Sequence, residues 1–294
     1  MPRHMLRAVL VCLSMSVGVH ADLITAENVI AGVPRYLWRH GCGPTAAGMV
    51  IGYYDTHGFG ALFPGDGATQ TDAVNEAIAS TEHYNDYCLP MDVQTSPDDP
   101  LVVLPDKSEP PVGDEHADNC LADFAKTSRS SRGMAYGYGY NTDLTTGMAY
   151  YVDYVNSQHG TEYYAESWFK LCDLDFPSLT FSWRDFKTEI DANHPMVFTV
   201  DSTGNGTADH FVTAVGYRVR DGIQEYACRD TWASTPDLRW QRFWDLGPEQ
   251  PWGIHSAIYF SIIPEPSTAL MLVIFFLPVV RLPSSRQSHK PDRQ

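Results

Sequence analysis

Apolar residues in the first half of the chain recur at helical spacing, whereas those in the second half run in β-branched, aromatic or alternating blocks. The run Pro44-Thr45-Ala46-Ala47-Gly48-Met49-Val50-Ile51-Gly52-Tyr53-Tyr54 is small and apolar. Its proline stands where a helix loses nothing by a missing N–H, so a helix is predicted over about 44–54. Val74, Ala77 and Ile78 place a short amphipathic helix within 71–81. Helical character returns at 118–126, at 144–158 with Met148, Tyr151, Val152 and Val155 on one face, and at 183–192 behind Ser182. Residues 88–114, rich in proline and aspartate, read as loop. From 195 the period changes, and 195–200, 210–219, 224–229 and 254–263 are predicted strands. Helices followed by antiparallel strands make an α+β fold, with the two halves meeting at a cleft.

Both ends of the chain read as addresses. Residues 1–21 combine Arg3 and Arg7, an apolar run from Ala8 to Val19, and Val19-His20-Ala21 as a small-residue cleavage site, the pattern of a signal peptide. At the other end, Pro264-Glu265-Pro266-Ser267-Thr268 precedes an apolar stretch from Ala269 to Val280 and then Arg281, Arg286, Lys290 and Arg293. This order resembles a PEP-CTERM sorting tail over 264–294. The resemblance implies a Gram-negative host, transient membrane association through the tail, removal by exosortase-type machinery, and release to the cell surface or extracellular matrix. Pro278 interrupts the apolar stretch, which is in any case shorter than the roughly 20 residues of a spanning helix.

What lies between, 22–263, is expected to be one domain. It holds 14 basic and 34 acidic residues, a net charge of about −20, which argues against a nucleic-acid partner. Its cysteines at 42, 88, 120, 172 and 228 are odd in number, so in an exported protein at least one thiol is unpaired. With Cys42 free, two disulfides have three possible connectivities, and Cys88 with Cys120 is the preferred pair because it closes the loop between them.

Cys42 stands between Gly41 and Gly43 at the start of the first predicted helix. There, unpaired N–H groups and the helix dipole favour thiolate, and the glycines let a carbonyl approach the backbone. The alternative is a structural cysteine in a glycine-rich turn. A nucleophilic cysteine needs a base, and of the eight histidines in 22–263, His210 is the best placed because it opens a strand whose neighbour carries Asp230. Register decides whether Asp230 shares a face with His210. A two-residue Asp221-Gly222 turn puts them on opposite faces, and a three-residue turn with Gly222 as a bulge puts them on the same face, so the bulged turn is expected.

These residues carry a family resemblance. Gly41-Cys42-Gly43-Pro44-Thr45-Ala46-Ala47-Gly48-Met49-Val50 behind Val33-Pro34, then Asp209-His210-Phe211-Val212-Thr213-Ala214-Val215-Gly216-Tyr217, then Arg229-Asp230-Thr231-Trp232 resemble the papain-like peptidases related to double-glycine leader peptidases. The resemblance implies a papain-like fold, thiol peptidase chemistry on a peptide or protein substrate without a required cofactor, Cys42 as nucleophile, His210 as base and Asp230 as orienting residue. It also implies a glutamine ahead of the cysteine as oxyanion donor, and none stands between Asp22 and Gly41. Trp38, Tyr36 or Arg39 is expected to donate in its place, with Trp38 the first choice. The absent glutamine leaves a second reading open, a catalytically silent module that binds peptide or polysaccharide.

Asp201-Ser202-Thr203-Gly204-Asn205-Gly206-Thr207-Ala208-Asp209 has oxygen side chains at its first, third, fifth and ninth positions. Asp201, Thr203, Asn205 and Asp209 are therefore candidate calcium ligands, although the loop also suits an ordinary strand connection, and Val212 stands where a bidentate glutamate is expected. Asp114-Glu115-His116-Ala117-Asp118 reads as a solvated acidic loop or helix start, without the Cys/His pairing that suggests zinc. The tyrosines at 136, 138, 140, 150, 151, 154, 163 and 164 either line a groove or pack with their hydroxyls at the surface.

Overall fold

The computed structural model describes residues 22–87, 106–110, 114–232 and 237–264. Residues 1–21, expected to be a signal peptide, the tail beyond Pro264 that resembles a sorting signal, and Cys88 lie outside the described residues.

Among the described residues, six α-helices and seven strands follow one another as β1 (Ile24–Val29), α1 (Cys42–Thr56), α2 (Asp72–Ile78), α3 (Thr81–Tyr87), α4 (Leu121–Phe124), α5 (Asn141–His159), β2 (Tyr163–Leu171), α6 (Trp183–Asp191), β3 (Met196–Asp201), β4 (His210–Arg220), β5 (Ile223–Arg229), β6 (Arg239–Arg242) and β7 (Gly253–Pro264). The strands make one antiparallel sheet in the order β2-β7-β3-β4-β5-β6, and β1 pairs with the second half of β4. The α+β arrangement of helices and antiparallel sheet is as expected, with the four predicted strands at β3, β4, β5 and β7.

Helix α1 is buried on every side from Gly43 to Asp55. Such a helix, apolar all round, belongs inside a core. Glycines make the closest contacts: a Cβ on Gly48 would meet Ile78 Cγ1 at 2.9 Å, and one on Gly52 would meet the Gly67 carbonyl oxygen at 2.9 Å. A buried hydrogen bond from Thr213 Oγ1 to the Ala46 carbonyl, 2.8 Å, ties α1 to β4. Helix α6 opens on a Ser182–Asp185 capping box, the local reason that helix begins where the sequence places it.

Several expectations need correction. The helix expected over 71–81 ends at Ile78, because Ala79 turns extended, and an unexpected helix, α3, follows from Thr81, opened by Ser80 accepting from the His83 N–H. The helix expected over 118–126 contracts to the four residues of α4. Cys120 is not in a disulfide: it is buried and free, and its Sγ donates to Asp123 at 3.1 Å. Cys42, Cys172 and Cys228 are also free. The β4–β5 turn has two residues, since Arg220 pairs with Ile223, and Asp221 and Gly222 both have positive φ, 52° and 79°. The extra residue sits farther along: pairing shifts between Ala214 and Gly216, so Val215 is bulged and Thr213 faces Arg229. The bulge restores the register expected at Asp230, from a different position in the hairpin.

Strands β1, β2 and β6 were not predicted. Each is half-exposed and carries polar residues between its apolar ones, as in Tyr163-Tyr164-Ala165-Glu166-Ser167-Trp168.

Candidate active site

The loop ahead of α1 is held by Thr45, whose Oγ1 accepts from the Arg39 N–H at 2.9 Å and donates to the Gly41 carbonyl at 2.6 Å. A second loop presses on it. A Cβ on Gly41 would meet the Gly137 carbonyl oxygen at 3.0 Å, and one on Gly137, at φ 82°, would meet Gly41 Cα at 2.9 Å. Only glycine at both positions lets these backbones touch beside the nucleophile candidate.

Cys42, the first residue of α1, and His210, the first residue of β4, line one cavity of about 170 Å³ together with Tyr138, Asn141, Asp209 and His255. Larger cavities of about 270 and 490 Å³ lie elsewhere. One of those has Cys228 and no histidine, the other His159 and no cysteine, so of the three the smallest is the one that joins a thiol to an imidazole.

Burial sets the electrostatics. It pushes the Cys42 thiol up to about 11, against the opposing pull of N–H groups of Phe211, Gly43 and Cys42 itself that point at the sulfur. Burial also takes His210 down to about 4. The resting pair is therefore thiol and imidazole, and the expected preference for thiolate at the helix start is outweighed by desolvation.

His210 Nε2 donates to the main-chain carbonyl of Asp230 at 2.8 Å. That bond fixes the Nε2–H tautomer and leaves Nδ1 as the basic nitrogen. The Asp230 carboxylate is directed elsewhere, to Arg239 Nε at 2.8 Å and to the Trp232 N–H at 3.0 Å. Bending the chain back this way, with Thr231 at φ 64°, lays the Trp232 ring on His210, centroids 3.7 Å apart and planes 19° apart.

The three candidate oxyanion donors separate clearly. Tyr36 is fully buried and its hydroxyl donates to the Gly67 carbonyl. Arg39 is committed to the Ala79 carbonyl at 3.1 Å and to Glu76 at 2.8 Å. Trp38 is 45% exposed, its main-chain N–H bonds the Thr231 carbonyl at 2.7 Å, and its ring edge lies against Gly137. It is the one of the three whose side chain stands beside the nucleophile loop uncommitted to the core.

The candidate calcium loop, 201–209, joins β3 to β4 and consumes its own oxygens. Asp201 Oδ1 accepts from the N–H groups of Thr203 and Gly204 at 3.0 and 2.7 Å, and Oδ2 from Gly206 at 2.6 Å. Asp209 accepts from the Ser202 N–H at 2.7 Å and hydroxyl at 2.9 Å, and Asn205 from the Thr207 N–H at 2.8 Å. Burial raises Asp201, but the N–H groups of Gly206, Gly204 and Thr203 outweigh it and hold the carboxyl below its ordinary value. Of the tyrosines, Tyr138 and Tyr140 line the cleft, while Tyr151 is core, its hydroxyl bonded to the Leu62 carbonyl at 2.7 Å.

Sequence reasoning missed a second cluster. His83, Cys120 and Asp123 are buried with donor atoms within 4.8 Å of one another, and His116 joins them through Asp123. The participants come from residues 83 and 116–123, too far apart in the chain for spacing to reveal.

A family model described as the Peptidase_C39 like family matches residues 30–245, a span that contains Cys42, His210 and Asp230. No curated protein matches the chain.

Proposed function

We propose that this chain, which belongs to the Peptidase_C39-like family, is an exported cysteine peptidase with Cys42 as nucleophile and His210 as general base. The family itself suggests a cysteine peptidase acting on peptide or protein substrates. The observation that carries the residue assignment is the shared cavity of Cys42 and His210, the first residues of α1 and β4.

His210 Nδ1 takes the thiol proton as Cys42 Sγ attacks the substrate carbonyl carbon. The imidazolium then protonates the leaving amine as the C–N bond breaks, leaving a thioester. Water attacks the thioester with His210 again as base, and the thiol returns. Asp230 positions the imidazole through its main-chain carbonyl, and Trp232 covers the ring. The Cys42 N–H and the Trp38 indole N–H are the proposed oxyanion donors, each worth on the order of 3 kcal/mol in the transition state. The pattern of a signal peptide at 1–21 and the PEP-CTERM-like tail support a place at the cell surface or matrix of a Gram-negative host.

A thiol-directed peptidyl probe tests the assignment. Rapid labelling that disappears in Cys42→Ala and slows strongly in His210→Ala is expected. Labelling indifferent to His210 contradicts it and returns the silent binding module.

A further inference from the structure

We propose that His83, His116, Cys120 and Asp123 form a structural zinc site that fastens the segment 114–123 to helix α3. Two parts of the chain supply the donors: His83 from α3, and His116-x3-Cys120-x2-Asp123 from the stretch leading into α4. The side chains of His83 and Asp123 are 0% exposed, that of His116 13%, and Cys120 is fully buried.

The carboxylate of Asp123 is the centre of the arrangement. Its Oδ1 stands 2.6 Å from His83 Nδ1, and its Oδ2 3.0 Å from His116 Nε2 and 3.1 Å from Cys120 Sγ. Oδ2 also meets the N–H groups of Asn119 and Cys120 at 3.0 and 3.2 Å. Four groups thus crowd an oxygen that has two lone pairs, so they cannot all be satisfied as proton donors at once. One cation between the side chains replaces the competing side-chain protons, with one Asp123 oxygen as a ligand and the other left to the backbone N–H groups of Asn119 and Cys120. Metal bonds of about 2.0–2.3 Å set tetrahedral ligands roughly 3.3–3.7 Å apart; His83, Cys120 and Asp123 already hold donor atoms within 4.8 Å of one another, and His116 Nε2 completes the set by swinging in from its contact with Asp123 Oδ2.

A separate observation points the same way. His116 presents Nε2 to the cluster and holds its other ring nitrogen, Nδ1, 2.8 Å from Asp86 Oδ2, and Asp86 is in turn paired with Lys107 at 2.5 Å. A carboxylate behind the far nitrogen of an imidazole is the usual second support of a ligating histidine.

Two imidazoles, one thiolate and one carboxylate suit zinc, whereas calcium and magnesium take oxygen ligands. Thiolate and carboxylate neutralise the divalent charge, and four protein ligands leave no open position, which makes the site structural. Binding replaces the Cys120 S–H bond with a Zn–S bond and releases that proton to solvent, so affinity rises with pH. The staple acts on a stretch with little regular structure: 114–120 forms no element, and α4 has four residues yet packs against α1 and α5.

The test uses the full chain carrying Cys42→Ala, so that the cleft thiol cannot contribute, stripped with chelator and titrated with Co2+. One equivalent is expected, with thiolate-to-cobalt charge transfer and tetrahedral d–d bands, displaced by Zn2+ and absent in Cys120→Ala. Asp86→Asn keeps every ligand and is expected to weaken binding about 10–100-fold. A folded parent chain that takes up no Co2+, or a band that survives Cys120→Ala, overturns the proposal.

Discussion

Cys42 and His210 are both held neutral by burial, the thiol at about 11 and the imidazole at about 4. A preformed thiolate–imidazolium pair gives an alkylation rate that is flat from pH 5 to 8, because the thiolate is already present. Here the proton moves during attack, so iodoacetamide labelling of Cys42 is expected to climb steadily between pH 6 and 9, and a plateau across that range contradicts the neutral pair. Asp230 offers a sharper separation. Its main-chain carbonyl accepts from His210 while its carboxylate serves Arg239. Asp230→Asn is therefore expected to keep kcat/KM within about tenfold of the parent, whereas loss of an orienting carboxylate in a triad costs roughly 10^4. His210→Ala is expected to lose about 10^2–10^4 of kcat. A fall of 10^3 or more in Asp230→Asn places the orienting role on the carboxylate instead.

Among the elements, the β4–β5 hairpin carries the geometry of the site. The Val215 bulge shifts the pairing by one residue, and Thr213 comes to face Arg229. The need for an extra residue was legible from the sequence, because His210 and Asp230 had to share a face. Its position was missed: Asp221-Gly222 closes a two-residue turn with both residues at positive φ, and the signal for the shift was Gly216, a glycine inside a strand beside which the pairing slips. The nucleophile loop depends on Gly137, where a Cβ would meet Gly41 Cα at 2.9 Å and Trp38 Cζ2 at 3.0 Å. Gly137→Ala is expected to lower stability by about 1–3 kcal/mol and to reduce kcat more than KM by displacing Gly41 and Trp38; unchanged melting and turnover contradict that contact. The buried helices and strands were readable because they carry dense apolar blocks, as in Met196-Val197-Phe198 of β3. Strand β2 was not, since Tyr164, Glu166 and Trp168 face outward and dilute the pattern. The second cluster was hidden for a different reason, the distance along the chain between His83 and Cys120.

Across the molecule, burial of neutral histidines links stability to acid. His40 and His210 are each lowered to about 4, first by burial, and His255 is lowered by burial as well. An unfolded chain titrates these groups near 6.5, so between about 6.5 and 4 it binds more protons than the folded one. The stability they contribute is present above 6.5 and is lost as pH falls through that window. Melting temperature is expected to drop from pH 7 to pH 4.5, and His40→Gln to flatten the slope; a melting temperature that rises over that interval contradicts the burial. His116 runs the other way: burial lowers it, but Asp86 and Asp123 more than offset that and hold it above its ordinary value.

The central question is whether the family chemistry operates through Cys42 in this chain. Cleavage of a peptide library by the full chain, followed by mass spectrometry beside Cys42→Ala, tests that most directly. The prediction is a set of cleavage products made by the parent and absent from the variant. A correctly folded parent that yields the same products as Cys42→Ala, or none, contradicts it.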